Sequence, residues 1–164
     1  MMAICIAALS TAAAAECVGF ADAPRRWLRA SDVAFDGTVI KLEQIAADGT
    51  RTNVDEASYP RAFTPDDDRL VRQYAATMQV HRYWKWKGAA SKETVVYFAP
   101  SWDGPSFKIG RRSVVFATEH PDRWLVDHYR QSSVGSGHAW VPPCSGLLWD
   151  AKEALKQLGR ASKS

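Results

Sequence analysis

The stretch that decides the fold is Asp32-Val33-Ala34-Phe35-Asp36-Gly37-Thr38-Val39-Ile40-Lys41-Leu42. Its first half alternates in polarity and places Val33, Phe35 and Val39 on one face of a β-strand. The apolar positions then shift phase at Ile40, as they do where a strand contains a bulge or a coil. Gly37 lies between the two halves, and we expect the strand to bend there. The stretch therefore predicts one long, irregular β-strand.

Four further stretches have the composition and length of short strands, and they lie at 75–84, 93–99, 113–118 and 138–141. Helical patterns stand at the two ends of this region. In residues 23–31, Asp22 can cap the helix, Pro24 suits its first turn, and Trp27 and Leu28 would face the core. In residues 148–158 one stripe is apolar, and the helix should stop at Gly159.

Two polar insertions interrupt the strands, at about 46–73 and 119–137. The first contains Thr64-Pro65-Asp66-Asp67, which predicts the start of a short helix. Five short strands with an irregular first strand, flanked by helices, are typical of an OB-type barrel. We therefore predict a mainly β protein with one domain over residues 16–164. It would be a five-stranded OB-type barrel with a short N-terminal helix and a C-terminal helix packed against it.

Residues 1–15 form an alanine-rich leader without a charged side chain, and the leader ends in Ala13-Ala14-Ala15. Signal peptidase cleaves after small residues in this arrangement, which would make Glu16 the mature N-terminus. The apolar run is shorter than the roughly 20 residues that span a bilayer, so we expect no transmembrane span. We expect residues 1–15 to be a signal peptide and the protein to be exported, to the periplasm or the cell exterior.

The chain has three cysteines, and Cys5 lies inside the leader. Cleavage would leave an even number of thiols, Cys17 and Cys144, in the mature chain. Export places them in an oxidising compartment, where disulfides form and persist. We therefore expect a Cys17–Cys144 disulfide that joins the two ends of the domain, and no catalytic thiol.

The composition is ordinary for a globular protein, with 46% hydrophobic and 24% charged residues. The formal net charge is +3, which is too small to indicate a nucleic-acid or membrane partner. We find no internal repeat. We expect a monomer and a protein partner.

Several motifs follow one another in the order seen in bacterial proteins similar to the tissue inhibitors of metalloproteinases and to netrin modules. They are residues 30–39, 80–88 and 110–117, Cys144-Ser145-Gly146, and residues 154–159. The resemblance covers most of the mature chain. It implies a secreted OB barrel, a cysteine near the mature N-terminus bonded to one after the last strand, and a helix packed behind the barrel. Cys17 and Cys144 occupy those two positions.

The resemblance also implies a mode of binding. In the animal inhibitors the N-terminal cysteine chelates the zinc of the protease through its α-amino group and carbonyl. Here Glu16 precedes Cys17, and Gly19 stands where the second cysteine of that family's start would fall. The family's binding ridge also uses the loop between the first two strands. The candidate ridge residues of this chain are Glu16, Cys17, Val18, Gly19, Tyr59 and Phe63.

An alternative is ligand binding at Tyr83-Trp84-Lys85-Trp86-Lys87. OB barrels bind single-stranded nucleic acids by stacking bases on aromatic rings flanked by basic residues. Trp84, Trp86 and Trp102 are the candidate stacking residues. The strand alternation would turn one tryptophan inward, and an exported protein seldom meets nucleic acid, so no nucleic-acid partner is expected.

Catalysis has little support from the residue pattern. No metal-ligand spacing connects the four histidines, which are His81, His120, His128 and His138. Gly135-Ser136-Gly137 lacks the pattern and the context of a nucleophile turn. We expect no catalytic residue, no metal and no cofactor. The sequence predicts an exported, non-catalytic module that binds a protein, such as a metalloprotease or an envelope component. A hydrolytic enzyme without a recognisable motif is a further alternative.

Overall fold

The computed structural model describes residues 24–46, 48–57, 73–86, 91–98, 107–119, 139–141 and 149–159. Two helices lie at the ends of this part of the chain, α1 (Pro24–Ala30) and α2 (Ala151–Leu158). The longer strands are β1 (Val33–Ile45), β4 (Gln73–Lys85), β5 (Glu93–Phe98) and β7 (Arg112–Ala117). The shorter ones are β2 (Arg51–Asn53), β3 (Glu56–Ala57), β6 (Phe107–Lys108), β8 (Ala139–Trp140) and β9 (Trp149–Asp150).

The strands form one large sheet and one small one. The large sheet has the order β8-β5-β4-β1-β7-β9, and β2 pairs with β1 outside this path. Five neighbouring strands of this path form an antiparallel sheet, and they are β5, β4, β1, β7 and β9. The sixth strand, β8, pairs with β5 in parallel. The small sheet is the antiparallel pair of β3 and β6. The protein is mainly β, as predicted, and the described strands do not close into a barrel.

The five predicted strands are confirmed, with small differences at their ends. β1 runs three residues beyond the predicted Leu42, because its last residues pair with both β2 and β4. The predicted phase shift is also confirmed, since the β1–β4 register shifts between Val39 and Lys41. A further shift falls between Asp36 and Gly37, where a Cβ on the glycine would lie 2.9 Å from the Gln79 carbonyl oxygen. This register shift therefore falls at a position where any residue other than glycine would displace its neighbours.

The large sheet has an apolar cluster on each face, because alternate residues of β1 point to opposite sides. Phe35, Val39 and Leu42 belong to the first cluster, which extends to Phe98 and Phe107. The second cluster, smaller, lies under the two helices. Its members are Ala34, Val114, Phe116 and Ala154, with Trp27, Leu28, Trp84, Leu155 and Leu158 packed against them.

Both helices were predicted, and both pack on the second cluster. The prediction that Trp27 and Leu28 face the core is confirmed. The start predicted for α2 was too early, because Trp149 and Asp150 pair with β7 as strand β9 before the helix begins. The stop at Gly159 is confirmed, and this glycine has a φ of 73°. The predicted Asp22 cap and the predicted helix at Thr64 lie outside the described residues.

Candidate functional site

A groove lies where the first insertion and the β6–β7 turn meet the middle of β1. Its volume is about 280 Å³, and it is open to solvent. The residues that line it are Ile40, Lys41, Leu42, Asn53, Val54, Asp55 and Ile109. We call this surface the groove.

Two large apolar side chains of the groove are exposed, Ile40 at 41% and Ile109 at 43%. Ile40 is the extra residue at the register shift of β1, so it has no partner on β4. Such a bulge turns a side chain away from the core face that the strand pattern would otherwise give it. Ile109 stands in the turn between β6 and β7. They are the two large hydrophobic residues exposed in the described part of the chain.

Backbone hydrogen bonds fix the three walls of the groove. The Val54 N–H donates to the Leu42 carbonyl at 3.0 Å, and the Ile109 N–H donates to the Asp55 carbonyl at 3.1 Å. The Gly110 N–H donates to the Val39 carbonyl at 2.8 Å. Gly110 has a φ of 81°, which glycine adopts without strain and which allows the turn to close against β1. Hydrogen-bonded backbone therefore holds the walls of the groove in place.

A charged chain of contacts borders the groove on the β2 side. Lys41 Nζ lies 2.8 Å from Glu43 Oε1, and Arg51 Nη1 lies 3.5 Å from Glu43 Oε2. Arg51 also donates to the Tyr97 hydroxyl at 3.3 Å, and this bond raises the pKa of Arg51 above its ordinary value. The apolar centre of the groove thus has a polar border, which is the usual arrangement of a protein interface.

The groove is suited to side chains of a protein more than to a cofactor. Small-molecule pockets usually have volumes of about 300–1,000 Å³ and enclose most of the ligand. This groove is smaller and open. In the part of the chain that the structure describes, no group of three His, Cys, Asp or Glu residues could hold a metal ion. The chemistry that the groove offers is apolar contact.

The opposite side of the sheet, which carries α1 and α2, has a different character, and we call it the helix side. Asp36 is fully buried there and accepts two hydrogen bonds from Arg112, at 2.8 and 2.5 Å. The bonds to Asp36 raise the pKa of Arg112 above its ordinary value. Nearby, Thr38 Oγ1 and His81 Nε2 form an exposed hydrogen-bonded pair at 2.8 Å.

The aromatic and basic cluster of β4 is divided between the two sides. Tyr83 packs against Phe35 and Trp86 of the first cluster, with ring centroids 5.9 and 5.0 Å apart. Trp84 packs in the second cluster, and the Arg82 guanidinium lies 5.9 Å from its ring centroid. Trp86, just beyond the end of β4, packs against the first cluster, so the two tryptophans lie on different sides of the sheet.

The ammonium group of Lys85 is part of the helix side. It donates to the carbonyls of Leu28 and Arg29, at 3.5 and 3.2 Å, and also to that of Ser31. These carbonyls end α1, where a positive charge is favourable. Lys85 therefore stabilises a helix end, and Trp84 and Trp86 are partly buried. The structure does not arrange these residues as an open stacking surface.

The other predicted site residues lie outside the described part of the chain. These are Glu16, Cys17, Val18, Gly19, Tyr59, Phe63, Trp102 and Cys144, together with the leader. Of the four histidines, only His81 is described. No helix in the described ranges has the length and apolarity to cross a bilayer.

Sequence reasoning did not find the groove, although one signal for it was present. The phase shift at Ile40 was recognised as an irregularity of the strand, but not as a position that exposes an isoleucine. No protein-family model and no curated protein matches this chain.

Proposed function

We propose that this protein is a non-catalytic module that binds a protein partner through the groove. The observation that carries the proposal is the exposure of Ile40 and Ile109 side by side in a surface of fixed backbone. Apolar side chains at the centre of an interface, with a polar border, supply most of the binding energy of protein complexes. A rigid surface also loses little conformational entropy on binding.

The order of the strands supports an OB-type barrel as the scaffold. In an OB barrel the first strand pairs with the second and the fourth, and the third pairs with the fifth in parallel. The corresponding strands here are β1, β4, β5, β7 and β8, and β8 runs parallel to β5. The pairing that would close the barrel, between β7 and β8, is not among the described pairs. This order agrees with the resemblance to the tissue inhibitors of metalloproteinases and netrin modules.

The position of the groove also agrees with that resemblance. Asn53, Val54 and Asp55 belong to the long insertion between the first two strands of the predicted barrel. This is the loop that the family's binding ridge uses, together with the residues around the first cysteine. We therefore propose that the groove is one part of such a ridge in an exported protein. A metalloprotease is the partner to test first.

The experiment is an inhibition assay against a panel of zinc peptidases, with the full chain and two double variants. Ile40→Ser, Ile109→Ser removes the apolar surface, and Ile40→Val, Ile109→Val preserves it as the matched control. Loss of a hot-spot side chain costs about 2 kcal/mol or more, so we expect the serine variant, which loses two of them, to inhibit about a thousandfold more weakly. The valine variant should remain close to wild type.

The outcomes separate the parts of the proposal. Equal inhibition by both double variants would exclude the groove as the contact surface. Absence of inhibition across the panel would exclude zinc peptidases as partners. Thermal unfolding of each variant distinguishes a lost contact from a lost fold, because exposed side chains usually contribute little to stability.

A further inference from the structure

The net charge of the chain is small, but its charged residues are unevenly distributed. The whole chain has 21 Lys and Arg against 18 Asp and Glu. The helices α1 and α2 contribute five of the basic residues and one of the acidic residues, which leaves 16 basic and 17 acidic residues elsewhere. The entire positive excess of the protein therefore lies on the two helices.

The basic residues share the outer surface of the helix pair. Residues 25, 26 and 29 lie within about 100° of each other around α1, and residues 152 and 156 are one turn apart in α2. All five side chains are exposed, and they are Arg25, Arg26, Arg29, Lys152 and Lys156. The apolar residues of both helices point the other way, into the second cluster. We call these five residues the basic face.

Contacts to neutral groups leave part of this charge in place. Arg25 Nε donates to the Gln157 carbonyl at 3.0 Å, which ties α1 to α2 without cancelling the charge of the arginine. Beneath the helices, the Lys85 bonds also end on backbone carbonyls. Because all five side chains of the basic face are exposed, their positive potential extends into solvent.

We propose that the basic face binds the surface of an anionic phospholipid bilayer, peripherally and without insertion. Each Lys or Arg close to an anionic leaflet contributes about 1 kcal/mol of attraction. A bilayer surface is flat, and it suits charges spread over two adjacent helices. The large apolar side chains of the helices are directed inward, so nothing on this face is available to enter the hydrocarbon layer.

The same observations disfavour the other anionic partners. A protein interface needs apolar anchors at its centre, and the exposed isoleucines lie in the groove, away from α1 and α2. A single-stranded nucleic acid needs open aromatic rings, whereas Trp27 and Trp84 pack into the second cluster. The proposal is independent of the groove and of its partner.

The test measures binding of the full chain to vesicles of equal parts phosphatidylglycerol and phosphatidylcholine, with pure phosphatidylcholine vesicles as reference. We expect binding to the anionic vesicles only. It should weaken strongly between about 0.01 and about 1 M salt, because the Debye length falls from about 30 to about 3 Å. The triple variant Arg25→Gln, Arg26→Gln, Arg29→Gln should bind about a hundredfold more weakly.

A matched triple variant removes the same charge from other parts of the chain. Lys92, Lys108 and Arg111 are exposed and lie outside the helices, and their replacement by Gln should change binding by less than about threefold. Since Arg25 also bonds to α2, the double variant Lys152→Gln, Lys156→Gln gives a second measure. It should weaken binding about 30-fold.

Three results would overturn the proposal. One is equal loss of binding in the basic-face variant and the matched variant, which would mean that only net charge matters. Another is no binding of the wild-type chain to the anionic vesicles at low salt. The third is tighter binding to single-stranded DNA or to polyglutamate than to the vesicles under the same salt conditions.

Discussion

The groove and the helix side use the same strand, β1, in opposite ways. In the groove β1 exposes Ile40, and backbone hydrogen bonds hold the walls around it. On the helix side β1 buries Asp36, and a side-chain ion pair with Arg112 joins it to β7. The groove exposes apolar side chains on a hydrogen-bonded backbone. The helix side directs its apolar side chains inward and exposes charged ones. The irregular register of β1 allows one strand to serve both.

This difference shows why average properties of the chain indicate little about its partners. A net charge of +3 suggests neither a membrane nor a nucleic acid. The charge becomes informative only when the fold gathers five cations on one helix pair. Similarly, the presence of isoleucine in the sequence says nothing about binding. Ile40 becomes informative because a bulge of β1 exposes it.

Among the variants that compare the two surfaces, Arg112→Met should cause the largest loss in the free energy of unfolding. Asp36 is 0% exposed and Arg112 is 47% exposed, so the substitution leaves a buried carboxylate without its cation. Breaking a buried pair usually costs about 3–5 kcal/mol, and the partial exposure of Arg112 favours the lower end, about 3 kcal/mol. Urea unfolding measures the free energy of unfolding directly.

Arg111→Met is the matched control for this variant. Arg111 is the preceding residue and is exposed, so its loss should change the free energy of unfolding by no more than about 0.5 kcal/mol. A similar loss for both arginines would mean that the Asp36–Arg112 pair does not stabilise the helix side.

The sequence predicted the long strands because their side chains alternate in polarity. It also predicted the shift of phase in β1, which fixes where the groove forms. β2, β3, β6 and β9 were not predicted, because strands of two or three residues have little periodicity to read. Glu56 and Lys108, for example, become neighbours only when β3 pairs with β6.

The candidate site was predicted less well, because its contacts are distant in sequence. In the groove, the Gly110 N–H donates to the Val39 carbonyl and the Ile109 N–H donates to the Asp55 carbonyl, and no local pattern connects either pair. The cluster from Tyr83 to Trp86 illustrates the opposite case. It was conspicuous in sequence, but tertiary packing uses Tyr83 and Trp84 in two separate cores and Lys85 at a helix end.

Gly37→Ala should have an intermediate effect, and it tests the irregularity of β1 that both surfaces share. The new Cβ would lie 2.9 Å from the Gln79 carbonyl oxygen and 3.2 Å from a ring carbon of Phe35. Relieving such a contact requires movement of backbone and core, and overpacking of this kind costs about 1–3 kcal/mol. We expect about 2 kcal/mol by urea unfolding.

Gly110→Ala, in the groove, gives the comparison. A Cβ there would meet nothing within 4 Å, but the φ of 81° would strain it by about 1 kcal/mol. If Gly110→Ala destabilised the protein more than Gly37→Ala, the close contacts around Gly37 would not be the main constraint on the residue type in β1.

The smallest effect should come from Tyr83→Phe, next to Trp84 but on the other side of the sheet. Burial raises the pKa of Tyr83, and its hydroxyl donates to the Ser91 carbonyl at 2.8 Å. Since the pKa is higher in the folded state, the unfolded chain loses this proton first as the pH rises. The stabilisation is therefore complete below the unfolded value of about 10 and is lost as the pH rises through the folded value. The variant should be less stable by about 1 kcal/mol at pH 8, from the lost hydrogen bond, and the gap to wild type should close at higher pH. A gap that stayed constant up to pH 11 would show that the hydroxyl ionises equally in both states.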